Sequence, residues 1–186
     1  MKLWPSHFVE EGWKGRVKSE RLTNEEFGRV RDNVVPTCVD VAVVNAGRIL
    51  LCQRTIQPLK GQWWMIGGRM LPGESPTEAA SRKLAQDTGI TIAPGAFVFL
   101  GVSSTVFVVR NEPPQENGSH TVNLTYGVEL SDEHLSNLRL DAHEYEVQAK
   151  WFAPVEVLAG VGKNQLHPYL DEVVYGVQAF TTKRGL

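Results

Sequence analysis

Residues Gly67–Ile90, GGRMLPGESPTEAASRKLAQDTGI, constrain this chain more than any other stretch. Gly67 and Gly68 lack a Cβ, so the backbone there is free for a tight bend or a close approach to a ligand. Pro72-Gly73 is a turn signal. Ser75 followed by Pro76 suits a helix N-cap with proline in the first helical position, and Glu78, three residues after the cap, completes a capping box. The helix then runs to Asp87-Thr88 and stops at Gly89. Along it Lys83, Gln86 and Asp87 fall at i, i+3 and i+4 and share one face. Ala79, Ala80, Leu84 and Ala85 are small or apolar, which allows close packing against a sheet. A glycine loop beside a helix with such a polar face can hold a phosphate and a hard cation through oxygen ligands.

The flanks predict a mixed domain around that helix. Thr23–Arg31 reads as a short helix with Thr23 and Glu26 forming a capping box, and Pro36 breaks the chain after it. Cys38–Val44 and Arg48–Arg54 read as strands joined in a hairpin at Asn45-Ala46-Gly47. A short apolar strand, Trp63–Ile66, leads into the glycines. Further strands are expected over Ala96–Leu100, Val102–Val109 and Val122–Leu130. The polar, proline-rich segment 110–121 is either a lid or a long hairpin connection. Ser131 opens a short helix to Leu138, Asp141–Trp151 is a loop running into a strand, and Pro154–Leu158 is one more short helix. Asn164–Phe180 is the last helix, with Leu166, Leu170, Val173, Val174 and Val177 as a core stripe. This element order gives an α/β (α+β) class. Residues 22–186 form the domain, and 1–21 form an arm whose Trp4, Phe8 and Trp13 either pack on the surface or make a homodimer contact.

Composition narrows the function classes. The chain has 186 residues, enough for one domain with a core. A net charge of −2 leaves no basic footprint for a nucleic-acid polymer. No apolar run approaches the ~18 residues of a membrane span, and no signal-peptide apolar region is seen, so the expected location is cytoplasmic. Two cysteines, Cys38 and Cys52, without Cys-x-x-Cys spacing, argue for buried thiols rather than a zinc site or a disulfide scaffold.

Gly68, Glu74, Arg82, Leu84, Gly89 and Ile90 stand at the spacing of a Nudix box, and the chain resembles the Nudix hydrolases. Lys83 stands where that family usually has a catalytic Glu, Gln86 where it has a metal-binding Glu, and Asp87 keeps an acid at the last position. The GDP-mannose mannosyl hydrolases share this loss. Arg54-Thr55, Pro58, Gly61, Trp63 and Gly67-Gly68-Arg69 are similar to that branch's approach to the box. The resemblance implies a Nudix α/β/α sandwich with a mixed central sheet. It also implies a nucleoside diphosphate sugar as partner, and Mg²⁺, or Mn²⁺ in its place, as cofactor. Water would attack the anomeric carbon. Asp87, Gly67 and Glu74 would hold the metal, with Glu74 also the natural partner of Arg82. Arg54 and Arg69 would grip the diphosphate through planar forks of donors, and Arg82 would bind substrate or buttress the loop. Asp40, odd among Val39, Val41, Val43 and Val44, would bind sugar or base, or else make a salt bridge on the strand face. In the segment 141–151, His143 would be the general base, with Glu146 as the fallback base or metal ligand. Two alternatives stay open. One is a conventional Nudix pyrophosphohydrolase. The other is a non-catalytic binding module in which Lys83 pairs with Asp87 and fills the metal's place.

Overall fold

The computed structural model describes residues 5–13, 22–160 and 166–184; Trp4 and the expected helix start at Asn164 lie outside them. Strand β1 (Thr37–Asn45) is the axis of a seven-stranded mixed sheet. Its hairpin partner β2 (Arg48–Arg54) follows through Ala46 and Gly47, both at positive φ, the conformation a two-residue turn needs to match strand twist. Strand β3 (Trp63–Trp64) pairs with β2, and β4 (Ile66–Arg69) pairs antiparallel with β1, from Cys38 opposite Arg69 to Val41 opposite Ile66. Strands β5 (Val98–Phe107) and β6 (Ser119–Glu129) form a long hairpin. β6 runs parallel to β1, from Thr37 opposite Val122 to Val44 opposite Glu129. Strand β7 (Tyr145–Phe152) covers the far side of β2.

Alternation along β1 sends side chains to two cores. Val39, Val41 and Val43 meet Ala79, Ala80 and Leu84 of helix α2 (Pro76–Thr88). Ala42 and Val44 join the core under the last helix, whose Leu170, Val173, Val174 and Val177 are buried as the stripe predicted. Helices α1 (Asn24–Asn33), α3 (Asp132–Leu135), α4 (Pro154–Gly160) and α5 (Tyr169–Arg184) complete the order. The architecture is the expected sandwich of a mixed sheet between helices. Both predicted capping boxes form: Thr23 Oγ1 accepts from Glu26 N and Ser75 Oγ accepts from Glu78 N.

Several boundaries differ from expectation for physical reasons. Gly67 and Gly68 lie in β4 rather than in a loop; a Cβ at Gly67 would fall 2.5 Å from Asp40 Oδ1 and 2.7 Å from Val39 O, so the strand closes on β1 only without one. The two strands expected over 96–109 are one, with a register shift between Phe99 and Gly101. β6 begins at Ser119 rather than Val122 because Ser119 pairs with Phe107, which extends the hairpin. The helix capped by Ser131 ends at Leu135, not Leu138. The last helix begins after Pro168, which disfavours helical geometry at His167. No described helix is long and apolar enough to cross a membrane.

Candidate functional site

A cleft of about 870 Å³ opens between the ends of β1, β2 and β4, the polar face of α2, and the segments 107–123 and 141–144. The sheet supplies its floor. Asp40 is buried there and accepts a hydrogen bond from Asn123 Nδ2 at 2.7 Å across the parallel β1–β6 pair. Burial pushes the Asp40 carboxyl up to about 6, against the pull of the Asn123 hydrogen bond and the Arg54 charge. Asp40 makes no salt bridge among the described residues; its partners are the Asn123 amide and the Trp64 side chain. Cys38 also reaches the cleft and is half-buried rather than buried; Cys52 is buried, and both thiols are free.

Two arginines end the strands that meet there. Arg54, the last residue of β2, donates from Nε to Pro58 O at 2.8 Å and has Nη2 3.8 Å from Glu144 Oε2. Arg69, the last residue of β4, lays its guanidinium 3.7 Å from the centre of the Phe27 ring on α1. That stacking fixes the plane of the fork.

Helix α2 forms the third side. Arg82 clamps Glu74 through both oxygens, at 2.5 and 2.9 Å, and donates to Arg69 O at 2.9 Å and to Gln86 Oε1 at 3.0 Å. Glu74 also accepts from Leu71 N at 2.8 Å. The Arg82–Glu74 pairing is the contact that the family resemblance implied. One residue on, Lys83 Nζ lies 2.7 Å from Asp87 Oδ1, while Tyr145 Oη donates to Asp87 Oδ2 at 3.1 Å. Asp87 is 1% exposed. Burial raises its carboxyl above the usual range, and the Lys83 charge and both hydrogen bonds pull it back.

The segment before β7 completes the rim. His143 lines the cleft; its backbone N–H donates to Asp141 Oδ1 at 3.0 Å and its carbonyl accepts from Thr55 Oγ1 at 2.7 Å. Glu144 faces the cleft, whereas Glu146 is exposed on β7 and is not among the lining residues. Glu144 stands in the turn just before the strand, which begins at Tyr145, and Glu146 lies within it. Sequence reasoning missed Asn123, Phe27 and Tyr145. Only Tyr145 carried a signal, standing between His143 and Glu146, which were already singled out.

A family model of the NUDIX domain matches residues 35–173. The chain belongs to the Nudix family. It is 25% identical over 155 residues to the low-salt glycan biosynthesis protein Agl8 of Haloferax volcanii, a match spanning 81% of this chain and 87% of the relative. It is 32% identical over 66 residues to human 8-oxo-dGDP phosphatase NUDT18, where only 36% of this chain and 20% of the relative are covered. Among solved structures, the MutT NUDIX hydrolase of Burkholderia pseudomallei superposes with a TM-score of 0.55 at 25% identity, over 67% of this Nudix chain and 87% of that one. The NUDIX domain of Shewanella oneidensis NrtR, solved with ADP ribose, superposes with a TM-score of 0.50 at 20% identity, over 68% and 78%.

Nudix hydrolases generally use divalent metals such as Mg²⁺. The residues expected to hold one here do not fit it as they are arranged. Asp87 presents its two oxygens to an ammonium and a phenol, and Glu74 presents both to Arg82. Gln86 accepts from Arg82 instead of offering a carboxylate. Gly67 is paired with β1 opposite Asp40. Among the described residues no group of three His, Cys, Asp or Glu side chains could hold a metal ion.

Proposed function

We propose that this Nudix protein hydrolyses a nucleoside diphosphate sugar of the GDP-mannose type, with water attacking the anomeric carbon. The reading rests on one observation: Arg54, Arg69 and Lys83 line the same cleft as Asp40, His143 and Glu144. In the proposed step the water oxygen bonds to the anomeric carbon as the bond from that carbon to the β-phosphate oxygen breaks. The bonding pair stays on the diphosphate, and the water proton passes to His143. The cations offset the charge that grows on the leaving group. Asp40, oriented by Asn123, accepts from a hydroxyl of the sugar or an N–H of the base. Attack at carbon keeps the nucleophile away from the negative phosphoryl oxygens, so it places less demand on a carboxylate-bound metal cluster. The names of two relatives support a nucleotide ligand, a nucleoside diphosphate for NUDT18 and ADP ribose for the NrtR domain, and that of Agl8, glycan biosynthesis, supports sugar chemistry.

The Lys83–Asp87 pair favours a second reading, binding without turnover. Incubation with GDP-mannose in ¹⁸O-water separates the two. We expect GDP and mannose as products, with the label in mannose. Label in phosphate would instead mean a conventional pyrophosphohydrolase, and binding with no product would mean a ligand-binding module.

A further inference from the structure

Resting on the reading of a nucleoside diphosphate site, we propose that Lys83 Nζ is the cleft's built-in counter-cation. The diphosphate is then bound by Lys83, Arg54 and Arg69 without a divalent ion.

An ammonium carries three donors, and the 2.7 Å bond to Asp87 Oδ1 uses one. Asp87 is held on its other oxygen by Tyr145 and is buried, so the carboxylate serves to orient the ammonium. The lysine side chain is 13% exposed, and both it and Asp87 line the cleft. Gly68 makes room for it: a Cβ there would fall 2.8 Å from Lys83 Cε and 3.3 Å from Nζ. A divalent cation at Asp87 would have to displace the ammonium or sit against it, and like charges that close repel strongly in a partly dry cleft. The acids that could offset that repulsion are engaged elsewhere, Glu74 by Arg82 and Glu144 beside Arg54. The geometry thus puts a fixed positive charge where a loaded ion would otherwise be needed, and that charge cannot be removed by a chelator.

Calorimetric titration of the full chain with GDP, ADP and UDP, in EDTA and then in Mg²⁺, tests this. At least one nucleotide should bind in EDTA with an affinity within about threefold of that in Mg²⁺. Manganese alone, followed by electron paramagnetic resonance, should show no ion bound to the unaltered protein. Lys83→Glu puts a second carboxylate one turn from Asp87, so it should bind manganese and lose about tenfold or more in nucleotide affinity in EDTA. Lys83→Met keeps the aliphatic stem and guards against a misfolded charge reversal; it should show the same loss. Affinity that rises about tenfold or more with metal in the unaltered protein overturns the inference and leaves the nucleotide reading standing. So does nucleotide binding by Lys83→Met as tight as that of the unaltered protein. No binding of any nucleotide under either condition overturns both.

Discussion

The box side of the cleft and the side facing it hold their charges in different ways. On the box side the partners are near neighbours in the chain: Ser75 with Glu78, Lys83 with Asp87, and Glu74 with Arg82. On the opposite side α1 grips the loop after β5. Arg31 bonds Glu112 and Ser119, Arg110 bonds Asp32 at 2.6 Å, and Asn117 bonds the same aspartate. Those partners are separated by 78 to 88 residues. Arg110 is 1% exposed and also donates to Glu112 O and Pro113 O. Local pairs follow from helical periodicity and capping. The long-range latch exists only because the β5–β6 hairpin delivers its loop to α1. The first kind of wall should therefore tolerate damage one bond at a time, and the second should fail as a unit.

The sharpest way to break that contrast is Arg110→Ala. It removes a buried side chain and three sets of donated bonds, so we expect a loss of about 3–4 kcal/mol in urea unfolding. Hydrogen exchange should rise across residues 110–118 while α2 keeps its protection. Equal loosening of α2 would show that the two walls are not independent.

Asp40→Asn examines the floor between them. Asp40 holds its proton in the folded state up to about 6, against an ordinary carboxyl value of 3.8 in the unfolded chain. The folded state therefore binds more protons over that window, and stability falls as pH rises through it. Below the window both states are protonated and the cost vanishes; above it both are ionised and the cost is full. The variant should gain about 2–3 kcal/mol relative to the unaltered protein between roughly pH 4 and pH 6, then hold a constant offset. A flat difference would show that Asp40 is ordinary.

Ser75→Ala is the smallest change. It removes one member of a local capping box and should cost about 1 kcal/mol, read as a modest fall in Tm with the rest of the cleft unaltered. A loss as large as that of Arg110→Ala would erase the distinction between local and long-range walls.

Much of the box wall was legible beforehand for the same reason. Caps, turns and i, i+4 partners are encoded within one or two turns of chain, so Ser75, Glu78 and Gly89 fixed the bounds of α2, while the pairing of Arg82 with Glu74 was implied by the family resemblance. The Lys83–Asp87 pair was readable as a contact, though not that Tyr145 would take the second oxygen. The strand boundaries after the box were less legible. Whether 96–109 is one strand or two depends on pairing with β6, which no local pattern states. Glu146 was a candidate through the family resemblance, but it is exposed on β7, whereas Glu144, in the turn before that strand, lines the cleft.

The sequence by itself determined the family, the central helix with its caps, the two-sided hydrophobic alternation of β1 and the presence of a lysine one turn from the remaining box acid. Those are properties of spacing and of side-chain type. The tertiary structure alone decided that Asn123 orients Asp40, that Phe27 flattens Arg69, that Tyr145 completes the shell of Asp87, and that α1 seals the far wall. Each of these needs residues far apart in the chain to meet across a sheet. Register and twist set such meetings, and a linear pattern carries neither.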